Sequence, residues 1–88
     1  MVEYNVHDWI IKPSTRKNKK YDVFKNDKYI VSFGDKRYQH FIDRFGYYSN
    51  LNHYDEQRAE NYRKRAKGLA PINNPYKANF WAYWYLWN

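Results

Sequence analysis

Apolar and polar residues alternate at the start of the chain, where Val2, Tyr4 and Val6 predict a short strand over residues 2–6. Trp9, Ile10 and Ile11 then form an apolar knot that Lys12-Pro13 ends; unless it packs on its own domain, it is an anchor into a partner. Residues 14–20, Ser-Thr-Arg-Lys-Asn-Lys-Lys, offer nothing apolar to bury and read as a solvated arm or loop. The runs Tyr21-Asp22-Val23-Phe24 and Tyr29-Ile30-Val31-Ser32-Phe33 are rich in strand formers. Lys25-Asn26-Asp27-Lys28 between them predicts a hairpin, because Asn and Asp tolerate left-handed backbone. Tyr29, Val31 and Phe33 would share one face of the second strand, with Ile30 on the other.

After Phe33 the period changes. Gly34-Asp35 breaks the strand, and Asp35 is placed to cap a helix opening at Lys36-Arg37. Tyr38, Phe41, Ile42 and Phe45 fall at i, i+3, i+4 and i+7 of that helix, and Gly46 sits where a terminating glycine belongs. This is the strongest helical pattern in the chain. Residues 47–54 read as an ordered loop, with Ser49, Asn50 and Asn52 as turn formers. Asp55 caps a second helix that ends before Gly68, whose apolar stripe of Ala59, Tyr62 and Ala66 is only about 60° wide. Arg58 and Arg65 flank one side of it, Arg63 and Lys67 the other. After a linker over residues 69–73, Asn74-Pro75 predicts the cap and first position of a last helix over residues 76–87. Its Phe80, Trp81, Tyr83, Trp84, Tyr85, Leu86 and Trp87 cover nearly every direction, so it must be buried on all sides or bind something. The resulting expectation is a small α+β single domain: a β-hairpin with two to three packed helices and an aromatic C-terminal helix. Residues 1–20 would be an N-terminal strand and basic arm, and residues 21–88 the compact domain.

Composition sharpens this picture. An 88-residue chain makes one domain, and one without cysteine has neither disulfides nor thiolate zinc to stabilise it. Aromatics make up 23% of the residues, and 11 tyrosines exceed what so small a core can hide with every hydroxyl paired; some are expected at a surface that a partner covers. Candidate protein-contact residues are Trp9, Ile10, Ile11, Phe80, Trp81, Trp84 and Trp87. The formal charge of +7 points to a polyanionic or acidic partner. The candidates to meet nucleic acid or an acidic protein surface are Arg16, Lys17, Lys19 and Lys20 in the arm, with Arg58, Arg63, Lys64, Arg65 and Lys67 on the second helix. No apolar run approaches a bilayer span, and the start lacks the pattern of a secretion signal, so an intracellular, membrane-free setting is expected. Both chain ends are expected to be held by packing or by neighbours. His7, His40 and His53 lack metal-ligand spacing, and Asp35 and His40, five apart on one helix, would not face each other. Neither a catalytic constellation nor a metal or cofactor site is expected, and no small-molecule substrate.

Phe33-Gly34-Asp35 with Tyr38, then His53, Asp55, Arg58, Tyr62 and Arg65, and finally Pro75, Ala78, Phe80-Trp81 and Leu86-Trp87, form a spaced pattern. Over residues 21–88 it resembles a family of small uncharacterised proteins of tailed phages and giant DNA viruses. Ala66 departs from that pattern, which commonly has a histidine after the arginine. The resemblance implies a viral source and no established activity. Two functions follow as expectations. One is a non-enzymatic auxiliary or minor capsid protein, assembled into virions in the host cytoplasm and bound to the major capsid protein or another virion protein through aromatic contacts. Its basic face would meet acidic coat-protein surface or packaged DNA. The other is a free, basic nucleic-acid-binding accessory that uses residues 16–20 and 58–67.

Overall fold

A computed structural model describes residues 2–88, so the expectation that Met1 is held in place lies outside the described residues. The fold is α+β. Four antiparallel strands, β1 (Tyr4–Val6), β2 (Trp9–Pro13), β3 (Lys19–Lys25) and β4 (Lys28–Asp35), pair in sequence order; α1 (Glu56–Leu69) and α2 (Ala78–Tyr85) follow. The hairpin between β3 and β4 turns where the sequence predicts it, at Asn26 and Asp27, both in left-handed backbone at φ 52° and 64°. Two such residues match the right-handed twist of the flanking strands.

Register decides which residues become core. Ile11 lies opposite Val23, which lies opposite Val31, and Pro13, Tyr21 and Phe33 line up in the same way. Residues two apart share a face, so Trp9, Ile11, Tyr21, Val23 and Phe33 converge. Trp81 from α2 closes over them, 6.1 Å from the Phe33 ring and 5.7 Å from Trp9. Its indole N–H donates to the Pro75 carbonyl at 2.7 Å, which satisfies the one polar atom this ring buries.

Several expectations are corrected. Of the arm or loop expected over residues 14–20, the structure has a short loop, and Lys19 and Lys20 belong to β3; Ser14 N–H donates to the Lys20 carbonyl at 2.8 Å, and Lys36 Nζ reaches the Ser14 carbonyl at 3.2 Å. A boundary between residues 20 and 21 would fall inside β3, and β1 and β2 belong to the same sheet. The segment 36–45 is not a helix. Its Ile42 and Arg44 amides bond the Leu86 and Tyr85 carbonyls at 3.1 and 2.9 Å, binding the segment to the end of α2. Finally, α1 continues through Gly68, and α2 begins at Ala78, because Asn74 closes a turn instead: its side chain accepts from Tyr76 N–H and its carbonyl from Lys77 N–H. The cap of α1 is as expected, Asp55 accepting from the Gln57 and Arg58 amides at 3.0 and 3.2 Å. Among the described residues, no helix is long and apolar enough to cross a membrane.

Candidate functional site

Most of the aromatic candidates serve the protein's own interior. Trp9 is 8% exposed, and Ile11 and Trp81 are fully buried, so none of the three is available to a partner. Ile10 is half-buried on the opposite sheet face. Trp87 stacks on Tyr62 at 4.3 Å, which joins the C-terminus to α1. Trp84 remains 39% exposed, although its indole N–H donates to the Ile72 carbonyl at 2.9 Å. With Phe80, Tyr85, Arg44, Asn73 and Asn88 it lines an open groove of about 560 Å³.

α2 packs against β4 and α1 against α2, and neither helix brings its backbone against β2 or β3, which leaves the face opposite the core without a helix over those strands. Lys12, Asp22, Phe24 and Ser32 share this face through the register of β2, β3 and β4. Lys12 Nζ lies 5.0 Å from the Phe24 ring centre, and the Arg16 guanidinium lies 3.9 Å from that of Tyr29. Asp22 holds the arrangement: Arg16 Nε approaches it at 3.7 Å, and the Ser32 hydroxyl donates to it at 2.6 Å. Cations over aromatic faces form the kind of surface that meets phosphates and stacked bases.

Ser32 also borders a cleft of about 680 Å³ between the ends of β3 and β4, α1 and α2. Lys19, Lys20, Arg58 and Arg65 line it, as do Tyr38 and Tyr62. Arg58 is steadied by a 3.2 Å bond to the Gln39 side chain. The helix stripe thus divides. Arg58 and Arg65 enter the cleft, whereas Arg63 donates to the Trp87 carbonyl at 2.7 Å, Lys64 pairs with Glu60 at 3.2 Å, and Lys67 sits 5.9 Å from the Tyr83 ring. Lys17 is exposed on the β2–β3 connection, outside the cleft lining.

Lys20 departs most from expectation, for it is 2% exposed rather than solvated. Its ammonium donates to the Tyr38 carbonyl at 3.0 Å and to His40 Nδ1 at 2.7 Å. A lysine is donor only, so Nδ1 accepts, and the His40 proton sits on Nε2, which donates to Asn52 Oδ1 at 2.6 Å. Asn52 Oδ1 also accepts the Asp43 amide at 2.8 Å. The Asp43 carboxylate takes the Phe45 and Tyr48 amides and the Tyr21 hydroxyl. Burial lowers the Lys20 pKa to about 8, against the opposing pull of Asp43 and Asp35. Burial, then the neighbouring Lys20 charge, lowers His40 to about 4. Burial and the bond to Asp43 push the Tyr21 hydroxyl upward. Lys12, His40, Asn52 and Asp43 are absent from the sequence-based candidates for function, and Lys20 is among them only as a cation of the solvated arm. The Lys20–His40–Asn52–Asp43 chain joins residues up to 32 positions apart in sequence, and no local spacing marks it.

Among the described residues, no group of three or more His, Asp or Glu side chains could hold a metal ion. The chain belongs to a family of unknown function, DUF5754, whose model matches residues 9–66. The matched span begins at Trp9, inside the N-terminal strand and basic arm expected over residues 1–20, and ends within α1 before α2. No curated protein and no solved structure matches the chain.

Proposed function

We propose that the protein is a non-catalytic nucleic-acid-binding protein. The observation that carries the reading is the continuity of one surface. Lys12 over Phe24 and Arg16 over Tyr29 occupy the uncovered sheet face, and Ser32 joins that face to the cleft lined by Lys19, Lys20, Arg58 and Arg65. Cations alone give sequence-independent affinity through phosphate contact and counterion release; the adjoining rings add base stacking that every base can satisfy. The net charge of +7 supports capture of a polyanion from solution. The test is a titration of a mixed-sequence single strand and of the matching duplex at rising salt. Binding that weakens linearly with the logarithm of salt concentration, and is tighter for the single strand, supports the reading. Binding absent at low salt overturns it.

A second reading rests on the groove around Trp84, whose partly exposed indole and neighbouring Phe80 and Tyr85 suit a protein partner. Joined to the viral resemblance, it makes the chain an auxiliary capsid protein seated on the major capsid protein or another virion protein. Apolar contacts resist salt, so retention on purified particles in high salt, lost in Trp84→Ala, is the expected result. Release of the native protein by salt alone would exclude this attachment.

A further inference from the structure

The cleft holds an uncompensated charge. An ammonium carries three protons, and Lys20 uses two, on the Tyr38 carbonyl and His40 Nδ1. Both acceptors are neutral. The nearby Asp43 carboxylate is occupied by the Tyr21 hydroxyl and two backbone amides, and Lys20 makes no ion pair with any described residue. A buried cation without a counter-ion is costly, and folds ordinarily place a carboxylate beside one. Here a histidine stands in that position, and it orients Lys20 without neutralising it.

The backbone also keeps room for this lysine. Gly34, at φ +76°, lies opposite Lys20 in the sheet, and a Cβ there would come within 2.8 Å of Lys20 Cδ and 3.0 Å of its Cβ. The glycine therefore serves the passage of the Lys20 stem as well as the left-handed turn of the strand end. Arg58 and Arg65, both exposed on α1, border the same cleft with Lys19, so its lining carries four cations and one carboxylate, Asp35, which Arg37 already engages at 2.7 Å.

We infer that this cleft is a subsite for a terminal phosphate, a phosphomonoester on a 5′ end or a free nucleotide, with Lys20 as its buried donor and Arg58 and Arg65 as flanking cations. The inference rests on the nucleic-acid reading of the surface around it. Two arguments select a terminal phosphate over a backbone phosphodiester. A monoester carries close to two negative charges at neutral pH, and a diester carries one, so a cleft lined by an excess of cations favours the monoester. A donor buried to this degree is reached by a group that enters the cleft end-on, which the middle of a strand does not do. The cleft volume of about 680 Å³ lies within the range of small-ligand sites, roughly 300–1,000 Å³.

Calorimetric titration of the full chain with one short oligonucleotide, 5′-phosphorylated or 5′-hydroxyl, tests this, alongside a nucleoside 5′-monophosphate. The phosphorylated strand is expected to bind roughly tenfold tighter or more, the scale of a charge-assisted hydrogen bond. Arg65→Gln, at an exposed position that leaves the fold intact, should remove most of that preference while still binding the hydroxyl strand. Lys20→Met should remove it fully if it folds. A second readout belongs to Lys20 alone. Its pKa in the free protein is about 8, and an anion beside it raises that value, so near pH 8 binding of the phosphorylated strand takes up a proton. The heat will then depend on the ionisation enthalpy of the buffer, and that of the hydroxyl strand will not. If both strands bind alike with no proton uptake, the subsite is overturned and the nucleic-acid reading stands. If neither strand nor the monophosphate binds, both fall. Tight binding of the monophosphate alone supports the subsite and identifies a free nucleotide as its source.

Discussion

Lys20 and His40 are each held away from their ordinary protonation behaviour by burial, and the direction of each shift fixes a pH dependence of stability. Between about pH 4 and 6.5, His40 is neutral in the folded protein and protonated in the unfolded chain. The unfolded chain then binds more protons, so stability rises with pH across that window, by roughly 3 kcal/mol in all. Lys20 acts in the same sense higher up: between about pH 8 and 10.5 the folded protein sheds a proton that the unfolded chain keeps. Tyr21 opposes it above pH 10, where the unfolded chain ionises a hydroxyl that the folded protein holds protonated. The urea midpoint should therefore climb from pH 8 to 10 and fall beyond. In Lys20→Met the climb should vanish and the low-pH loss should remain. A native profile that stays flat from pH 8 to 10 would mean that Lys20 keeps its proton in the folded protein as in the unfolded chain, and would rule out its lowered pKa.

At the scale of elements, local chemistry was legible and distant pairing was not. The β3–β4 hairpin and the start of α1 follow from Asn26-Asp27 and Asp55, residues whose preferred backbone or side-chain bond acts within a few positions. The segment 36–45 carries helical periodicity, yet its amides find partners on Leu86 and Tyr85, more than forty residues on, and Tyr38 is left exposed outside the supposed stripe. The exposed arginines of the cleft could be read from the α1 stripe. Lys20 could not, since nothing in Lys-Asn-Lys-Lys distinguishes the one lysine that turns inward. Asp43 provides the test. In a helix it would be a solvent-facing residue that alanine could replace at no loss. In the observed loop its carboxylate ties Phe45, Tyr48 and Tyr21 together, so Asp43→Ala leaves three polar groups unpaired. Destabilisation by roughly 2–5 kcal/mol on chemical denaturation is expected, and an unchanged midpoint would contradict the loop.

For the whole molecule, the sheet face and the cleft compete as explanations of any affinity for nucleic acid, because a net charge of +7 attracts polyanions from every side. Salt dependence separates them, since each phosphate neutralised on a single strand contributes about 0.7 to the slope of log affinity against log salt. Two double variants are informative. Lys12→Gln with Arg16→Gln empties the sheet face, and Arg58→Gln with Arg65→Gln empties the cleft; three of the four side chains are exposed and the fourth, Lys12, is half-buried, so the fold should survive. If one strand runs along the entire surface, each pair should lower the slope by about 1.4 and the four changes together by about twice that. A fall confined to the cleft pair would shorten the interface to Lys19, Lys20 and α1, with the cation–aromatic pairs of the sheet as surface structure. Equal, small losses in both that match substitutions at Lys17 and Lys64, outside the cleft lining, would mean that charge acts diffusely and that the strand has no defined path.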